Sequence, residues 1–375
     1  MKRYIDAAVE QFRNLLTEQL ARVEVLEKGA GAKDFAKLGK ITIGVCGGDG
    51  IGPVIVDAAR SVLEALLAEE IEAGRVALVP IEGLTIENRM KLGQSVPKDT
   101  LAAIRQCDVL LKGPTTTPKG GTMESANVTL RRELDLYANV RPVAIPEEGC
   151  DWTFFRENTE GEYVLGSRGV EIPDVLAMDF KVTTRPGTRR IARAAFEFAR
   201  NNGKKRVSIV TKANIMKKTD GSFSAICHEI AKEYPEIQVD EWYIDIMTAN
   251  LVNPAIRKQF EVFLLPNLYG DIITDEAAQL QGGVGTAGSA NTGDRYAMFE
   301  AIHGSAPRLI EEGLGEYASP ESILRACVLL LRHIARPEAA DRLEKALDGC
   351  ALRVTGDRSG ATCREYADAI LKSLA

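Results

Sequence analysis

Residues 41–53, ITIGVCGGDGIGP, join a short apolar run to a cluster of glycines and a proline. The run Ile41–Val45 has the length and composition of a buried strand. Pro53 suits the first turn of a helix, so we predict a helix from Val54 to about Glu70. The glycine spacing does not fit the GxGxxG pattern of a dinucleotide-binding Rossmann domain. This stretch therefore indicates an α/β protein without that motif.

Strands and helices alternate along the rest of the chain. Further strands are predicted over residues 108–114, 206–211 and 260–265. Further helices are predicted around residues 191–199, 322–334 and 339–347. Strands separated by helices of roughly ten to seventeen residues favour an α/β fold with a largely parallel sheet.

The composition is that of an ordinary globular protein. Of the 375 residues, 45% are hydrophobic and 27% are charged, which excludes disordered, collagen-like and coiled-coil chains. With 47 basic and 53 acidic residues the net charge is −6, so no nucleic-acid partner is expected. No apolar run approaches the ~20 residues of a membrane span, and no membrane partner is expected. At ~150 residues per domain, the length suggests two or three domains.

Cysteine and histidine usage argues against disulfides and zinc. The seven cysteines are odd in number and scattered, without a CxxC pair. We expect small buried side chains or free thiols in a reducing compartment, and a cytoplasmic protein. None of the three histidines, His228, His303 and His333, lies at zinc-ligand spacing from a cysteine. Any metal is expected to be a hard cation held by carboxylates.

Residues 3–27 form a predicted amphipathic helix. Its apolar side chains recur in steps of three and four, at Ile5, Val9, Phe12, Leu16, Leu20 and Val23. Five acidic residues and the lack of a continuous apolar core distinguish it from transit and signal peptides. We expect this helix to pack on the body of the protein or on a neighbouring subunit. The alternative is a helix that binds a functional partner.

Three arginines lie close to small hydrogen-bonding residues in the stretch 125–163. Arg131, Arg141 and Arg156 carry planar groups that donate two hydrogen bonds to a carboxylate. Their clustering with serine, asparagine and tyrosine suggests a pocket for a polyanion. Scattered arginines are commonly surface residues, and that alternative stays open.

Asp271 and Asp275 follow an apolar strand. If a helix begins near Asp271, the two carboxylates lie one turn apart on one face. Their repulsion would be relieved by a divalent cation, Mg²⁺ or Mn²⁺. The alternative is a helix start rich in acids, which the helix dipole stabilises. Spacing alone favours that second interpretation.

Two loops of small residues, 281–291 and 303–307, follow these acids in the chain. Small residues allow the backbone to approach a flat or phosphorylated ligand closely. Such loops are weak evidence when taken alone.

Six motifs in a fixed order together resemble the isocitrate/3-isopropylmalate dehydrogenase family, and most of all its NAD-type isocitrate dehydrogenases. The motifs are GDGIGP, SANVTLRRELDLYANVRP, FRENTEGEY, TKANIMKKTDG, PNLYGDIITD and HGSAP. The resemblance covers about residues 41–370. It implies the fold of that family, which is not a Rossmann domain and has a cleft between two domains.

The implied domain organisation has three parts. Residues 1–40 are an N-terminal helical extension. Residues 41–136 and 283–375 form a large discontinuous α/β domain. Residues 137–282 form a smaller domain that carries the dimer contacts.

The resemblance implies metal-dependent oxidative decarboxylation of isocitrate to 2-oxoglutarate and CO₂. Arg131, Arg141 and Arg156 would hold substrate carboxylates. Ser125 and Asn127 would hydrogen-bond the distal carboxylate, where isopropylmalate enzymes are apolar. Homoisocitrate and 3-isopropylmalate remain alternative substrates, and a second hypothesis is a non-catalytic regulatory subunit.

The resemblance also implies the catalytic and metal-binding residues. Lys212 is the base, and Tyr163 protonates the enol. Asp245, Asp271 and Asp275 hold Mg²⁺ or Mn²⁺. In family members the equivalents of Lys212 and Asp245 come from the neighbouring subunit, so the implied partner is a second copy, in at least a dimer with shared active sites.

The cofactor implied is NAD, with NADP as an open alternative. The residues that would contact it are Thr117, Asn214, His303, Gly304, Ser305, Ala306, Pro307, Arg308 and Ser319. NAD-using relatives carry an acid after HGSAP and NADP users carry Lys-Tyr, whereas this chain has Arg308 and Leu309. Ser319 stands where relatives have an adenine-contacting asparagine. The overall pattern favours NAD.

Overall fold

The strands and helices come from a computed structural model that describes residues 2–29, 31–118, 123–166 and 168–374. The strands in this part of the chain are β1 (Ile41–Cys46), β2 (Val76–Pro80), β3 (Val109–Lys112), β4 (Ala138–Ile145), β5 (Cys150–Glu157), β6 (Val170–Ile172), β7 (Leu176–Met178), β8 (Arg206–Thr211), β9 (Gln238–Tyr243), β10 (Val262–Leu265), β11 (Gly288–Thr292) and β12 (Ala297–Ala301). The helices are α1 (Lys2–Lys28), α2 (Gly52–Leu66), α3 (Ala68–Glu72), α4 (Ile86–Leu92), α5 (Lys98–Arg105), α6 (Ala126–Glu133), α7 (Arg185–Asn201), α8 (Thr219–Ala231), α9 (Ile244–Leu251), α10 (Pro254–Arg257), α11 (Asn267–Gln281), α12 (Pro307–Glu311), α13 (Glu321–His333), α14 (Pro337–Asp348) and α15 (Cys363–Leu374).

The chain divides into two compact units. The smaller unit comprises Met1–Gly31 and Pro146–Ile273, and the larger unit comprises Ala32–Ile145 and Thr274–Ala375. The sequence places the corresponding boundaries at 40/41, 136/137 and 282/283. β4 belongs to the larger unit because it pairs with β11 there, with Val140 opposite Ala290.

The sheet of the larger unit has the strand order β2-β1-β3-β12-β11-β4. β2, β1, β3 and β12 are parallel, and β11 runs antiparallel to both of its neighbours. α2 begins with Gly52 and Pro53, as predicted, and ends at Leu66 because a turn at Leu67 separates it from α3. Val62, Phe299 and Leu331 lie in the core between the sheet and the helices.

The sheet of the smaller unit has the order β5-β10-β8-β9 with all strands parallel. β6 and β7 form a separate antiparallel hairpin. Aromatic rings fill the core beneath the sheet: Phe154 stacks on Phe263 at 4.3 Å, and Trp152 meets Phe263 edge-on at 6.0 Å. The predicted α/β class with a largely parallel sheet is confirmed in both units.

The N-terminal helix is confirmed as α1 and packs on the smaller unit, but it does so mainly through polar side chains. Gln11 Nε2 donates to the carbonyls of Arg168 and Gly169 at 2.8 Å, and Leu15 is buried. The apolar stripe does not cover the body of the protein, since Ile5 and Leu20 are 56% and 58% exposed. The polar face of α1 lies against the smaller unit, where its side chains hydrogen-bond backbone carbonyls and a charged side chain.

Two smaller findings complete the fold. The seven cysteines are free, and six of them are buried. No helix in the described residues combines the length and apolar character needed to cross a membrane.

Candidate active site

Arg156, Tyr163 and Asp271 come together at the carboxyl end of β5. The Arg156 guanidinium is fully buried and donates through Nε and Nη2 to Asn267 Oδ1 at 3.0 and 2.6 Å. Its Nη1 donates to Asp271 Oδ1, and the Tyr163 hydroxyl donates to Asp271 Oδ2 at 2.7 Å. The guanidinium carbon lies 5.2 Å from the centre of the Tyr163 ring. One cation, one phenol and one carboxylate therefore share this site.

Two glycines allow this close packing. A Cβ at Gly270 would lie 2.6 Å from Cγ of Arg156. Gly161 has a φ of +72°, and a Cβ there would lie 2.9 Å from Cβ of Asn267. Side chains at either position would push the arginine and its asparagine partner out of line.

Lys212 and Asp245 form a second group in the smaller unit. Lys212 Nζ lies 2.5 Å from Asp245 Oδ1, and this hydrogen bond lowers the pKa of Asp245. Lys212 follows β8 directly, and Asp245 lies in the first turn of α9. The backbone nitrogen of Lys212 donates to the fully buried Asp220 at 2.8 Å, so the start of α8 positions this lysine. Asp220 in turn pairs with Lys181 at 2.5 Å.

Arg131 lies in a buried charge cluster of the larger unit. Glu300 receives Arg131 Nη2 at 3.4 Å and Lys112 Nζ at 3.2 Å. Burial alone would raise the pKa of Glu300, but the charges of Lys112 and Arg131 hold it below its usual value. Arg131 Nε is buried and has no hydrogen-bond partner among the residues that the structure describes. It is a donor suited to a substrate carboxylate.

Arg141 extends from β4 to Thr274 and Asp275, the point in α11 at which the larger unit resumes. Its Nη1 donates to Thr274 Oγ1 at 2.5 Å and to Asp275 Oδ1 at 3.0 Å. The Arg141 side chain is nearly buried, whereas that of Asp275 is 62% exposed. The pair therefore presents a carboxylate at the surface beside a fixed guanidinium.

Ser125 and Asn127 flank the start of α6. Ser125 occupies the residue before the helix, and its side chain makes no capping hydrogen bond. Asn127 Oδ1 accepts from Thr115 Oγ1 at 3.1 Å, which ties α6 to the loop after β3. Both side chains are partly exposed.

The helix-start interpretation of Asp271 and Asp275 is wrong in one respect. α11 begins at Asn267, so its first turn contains no acidic residue. The helix dipole acts mainly within the first turn. It therefore does not account for two acids one turn apart further along α11.

The predicted metal ligands have the donor chemistry that a hard cation prefers. Each carboxylate accepts from a basic side chain, Lys212 for Asp245, Arg156 for Asp271 and Arg141 for Asp275. Among the described residues, no group of three or more His, Cys, Asp and Glu side chains is arranged to hold a metal ion. The expectation that Asp245 serves a neighbouring subunit stays a prediction.

Three loops of the larger unit meet at Asp49, within the GDGIGP motif. Asp49 is buried and accepts from the backbone nitrogens of Ile86 and Thr116 at 2.6 and 2.7 Å and from Arg89 Nη2 at 2.9 Å. Thr116 Oγ1 lies 2.8 Å from Ser305 Oγ, which brings the HGSAP loop to the same place. A Cβ at Gly50, where φ is +60°, would lie 2.0 Å from the Ser305 carbonyl oxygen. Sequence reasoning assigned no role to Asp49 or Arg89, although the motif containing Asp49 was recognised.

The other predicted cofactor residues are spread over both units. Asn214 lies in an exposed turn of the smaller unit, and Thr117 is exposed beside Thr116 in the larger unit. Burial lowers the pKa of His303. Ala306 has a φ of +44° and precedes Pro307, which begins α12. Ser319 Oγ accepts from the backbone of Glu321 at 3.4 Å.

Arg308 points away from the body of the larger unit. Its side chain is 85% exposed, and Nε pairs with Glu312 Oε1 one turn onward at 2.7 Å. An exposed pair of this type is weak and leaves the guanidinium able to exchange partners.

Two buried acids, Glu157 and Glu160, lie between Arg156 and Tyr163 in the chain. The sequence alone assigned them no role. Glu157 accepts from the Thr159 and Glu160 backbones at 2.7–3.1 Å. Glu160 accepts from Thr184 N at 2.8 Å and from Arg22 Nη1 of α1 at 3.0 Å. Both acids occur in the recognised FRENTEGEY motif, but Arg22, which pairs with Glu160, lies 138 residues away in the chain.

Glu157 is expected to make stability depend on pH. Burial, and then the charge of Glu160, raise the pKa of Glu157 from 4.5 to about 7, against the hydrogen bonds of Thr159 and the charge of Arg190. The folded protein thus holds this proton more tightly than the unfolded chain does. The associated stability is complete below about pH 4.5 and is lost as pH rises through 7.

We therefore expect Glu157→Gln to reduce the decline of unfolding free energy between pH 5 and 7, by on the order of 1–3 kcal/mol. Chemical denaturation across this range measures it. Glu236→Gln, at an exposed position of the same unit, is the control and should leave the pH profile unchanged. Parallel profiles for wild type and Glu157→Gln would contradict the expectation.

A sequence model of the isocitrate/isopropylmalate dehydrogenase family matches residues 42–370. The chain belongs to this family. The match begins after α1, so the N-terminal helix lies outside the part that defines the family.

Individual relatives agree with this assignment. The isocitrate dehydrogenase (NADP) of Rickettsia prowazekii is 40% identical over 309 residues, which cover 80% of this chain and 61% of that protein. The probable mitochondrial isocitrate dehydrogenase (NAD) subunit alpha of Drosophila melanogaster is 38% identical over 342 residues, covering 87% of this chain and 86% of that protein. The chain thus spans about three fifths of the first relative's length and most of the second's.

A solved structure supports the same family fold. The crystal structure of isocitrate dehydrogenase from Methylococcus capsulatus aligns with a TM-score of 0.78 and 38% identity, over 89% of this chain and 99% of that chain. NADP-type and NAD-type relatives have similar identities, so similarity alone does not distinguish the two cofactors.

Proposed function

We propose that this chain is a metal-dependent isocitrate dehydrogenase that converts isocitrate to 2-oxoglutarate and CO₂ with NAD as the preferred oxidant. The observation that carries the proposal is the cluster of Arg156, Tyr163 and Asp271. A buried guanidinium beside a phenol suits a substrate whose carboxylate must be held while a proton is delivered nearby.

Two arginines of the larger unit are proposed to hold substrate carboxylates. Arg131 contributes Nε, which has no hydrogen-bond partner among the described residues, and Arg141 contributes a guanidinium held by Thr274 and Asp275. Ser125 and Asn127 supply hydroxyl and amide groups for the distal carboxylate of isocitrate. A substrate with an apolar branch in that place would leave these polar groups unpaired.

Two residues of the chain move protons in this proposal. Lys212 Nζ takes the proton of the substrate hydroxyl, and Tyr163 returns a proton to the carbon that loses CO₂. When bound, the divalent cation supplies Lewis-acid polarisation of the substrate oxygens and the nicotinamide supplies the hydride acceptor. Asp245, Asp271 and Asp275 are the residues that would hold the cation.

The proposed assembly is at least a homodimer with shared active sites. Lys212 and Asp245 pair with each other in the smaller unit and are partly exposed. In the proposed dimer they contribute to the active site of the second copy. The proposed location is the cytoplasm, in keeping with seven free cysteines.

Steady-state assays test the function directly. With Mn²⁺ present, kcat/KM is measured for isocitrate, homoisocitrate and 3-isopropylmalate with NAD and with NADP. We expect isocitrate with NAD to give the largest value. A larger value for either other acid would replace the substrate, and absence of turnover with all three would favour a regulatory subunit.

Asp275→Asn is expected to weaken Mn²⁺ binding and activity together. Loss of one anionic oxygen ligand lowers affinity for a hard cation, and kcat/KM should fall at least tenfold at limiting Mn²⁺. Because Asp275 is largely exposed, the Tm without metal should stay near that of wild type. Calorimetric Mn²⁺ titration measures the first effect, and Glu276→Gln on the same helix is the control. An unchanged titration would remove Asp275 from the ligand set.

Arg308→Asp is expected to lower kcat/KM for NADP at least tenfold and to spare that for NAD. The guanidinium suits a 2′-phosphate, and exchange from Glu312 to that phosphate would make NADP usable. Glu312→Gln removes the competing carboxylate and should leave NADP use equal or higher. If Arg308→Asp changes both cofactors equally, Arg308 does not contact the 2′ position.

A further inference from the structure

One face of α1 is apolar and uncovered in the described part of this chain. Ile5, Val9, Phe12, Leu16 and Leu20 are each 49–58% exposed. At 100° per residue they lie within about 80° of arc on the helix, so they form one continuous stripe. A monomer rarely leaves such a stripe in water, because apolar patches of this kind mark interaction sites.

The orientation of α1 is set by a different face of the helix. Arg22 Nη1 and Nη2 donate to Glu160 Oε1 at 3.0 Å and Thr159 Oγ1 at 3.1 Å, and both acceptor side chains are buried. Arg168 forms a two-pronged pair with Glu18 at 2.6 and 2.8 Å. These contacts hold the polar face against the smaller unit, so the stripe is presented outward.

The stripe matches itself when the helix is reversed. Reversal about residue 14 places Phe12 opposite Leu16 and, within one residue, Val9 opposite Leu20. The same reversal brings Lys2 opposite Glu27, on the same side of the helix. A surface that is complementary to its own reversed copy is the requirement of a two-fold symmetric interface. This self-match favours a second copy of the chain over an unrelated partner.

The apolar surface continues from α1 onto the β6–β7 hairpin. The Phe12 ring lies 5.7 Å from the ring of Phe180, just after β7. Val175, Leu176 and Met178 of the hairpin are 77%, 47% and 44% exposed. The hairpin lies within residues 137–282, which are expected to carry the dimer contacts. The stripe is therefore continuous with a surface on which a second copy is already expected.

We propose that α1 is an interaction element that pairs antiparallel with α1 of a second copy of this chain, through the stripe centred near residue 14. The helix lies outside the residues that match the family, so it adds a contact to those expected of the family fold. The inference does not depend on the proposed activity, and its tests read association alone.

Cysteine cross-linking tests the geometry. In the antiparallel pair, residue 9 of one copy lies within one residue of the level of residue 20 of the other, whereas two copies of residue 9 are about 15 Å apart along the helices. Val9→Cys/Leu20→Cys is therefore expected to form a covalent dimer on mild oxidation of the full-length protein. Each single variant and the wild type should stay uncross-linked, since a disulfide needs Cβ atoms ~4 Å apart.

Assembly mass tests the contribution of the stripe. By light scattering over a dilution series, Leu16→Glu is expected to fall toward half the wild-type mass at a protein concentration at least tenfold higher than the wild type does. Thr17→Glu introduces the same charge at an exposed position outside the stripe and should leave the mass unchanged. An unchanged mass for Leu16→Glu, or a double cysteine variant that stays uncross-linked, would overturn the proposal.

Discussion

Replacing Lys212 by methionine is expected to lower kcat for isocitrate by about 10²–10⁴, the range that a positioned general base contributes. Methionine retains the length of the side chain and removes the amine. Lys212 pairs with the exposed Asp245, so the Tm should change little. Stopped-flow or steady-state reduction of the cofactor measures the effect. Lys217→Met, at an exposed lysine of the following turn, is the control and should keep wild-type kcat.

Mixed assemblies distinguish a shared site from a site within one chain. If Lys212 acts in the neighbouring subunit, Lys212→Met and Tyr163→Phe chains are each inactive alone but form mixed dimers with one intact site. Coexpression should then restore roughly a quarter of the wild-type activity, as random pairing in a symmetric dimer requires. No recovery would place Lys212 and Tyr163 of the same chain in one site. Near-normal kcat for Lys212→Met alone would remove it as the base.

Replacing Arg22 by methionine is expected to lower the free energy of unfolding by about 2–3 kcal/mol. Removing one partner of a buried ion pair costs about 3–5 kcal/mol because the other charge stays buried. The lower figure applies here because the Arg22 side chain is 19% exposed and Glu160 keeps its hydrogen bonds from Thr184. Chemical denaturation followed by a signal from the smaller unit, such as Trp152, measures the loss.

Arg13→Met on the same helix is the matched control for Arg22. Arg13 pairs with Glu10 at 2.5 Å, but both side chains are more than half exposed. A pair of that type contributes less than ~0.5 kcal/mol. Equal losses for the two variants would mean that the buried contact with Glu160 adds nothing beyond the helix itself.

Local patterns in the sequence were enough to locate several of the long helices and buried strands. The predicted strand 206–211 is β8, and the helix predicted over 322–334 differs from α13 by one residue at each end. Apolar runs and helical periodicity depend on neighbours a few residues apart, so they can be read without knowing the fold. The start of α11 was missed by four residues because Asn267–Gly270 carry no capping pattern that marks a helix start.

The contacts within the site needed the tertiary structure. The motifs named Arg156 and Asp271 separately, but their pairing joins residues 115 positions apart in the chain. The role of Asp49 likewise depends on Thr116 and Arg89, which other loops bring to it. A motif identifies residue types in order, whereas hydrogen-bond partners depend on which loops meet in space.

The N-terminal helix shows the same division between sequence and fold. Its six apolar residues by themselves predicted a helix over residues 3–27 with one apolar face, and the structure has the helix over Lys2–Lys28. Which face turns toward the smaller unit depended on Glu160, Thr159 and Arg168, whose positions the helix sequence does not contain. Periodicity is a property of one segment, but burial is a property of two surfaces in contact. Only the tertiary structure could therefore show that the polar face contacts the smaller unit and that the apolar face is exposed.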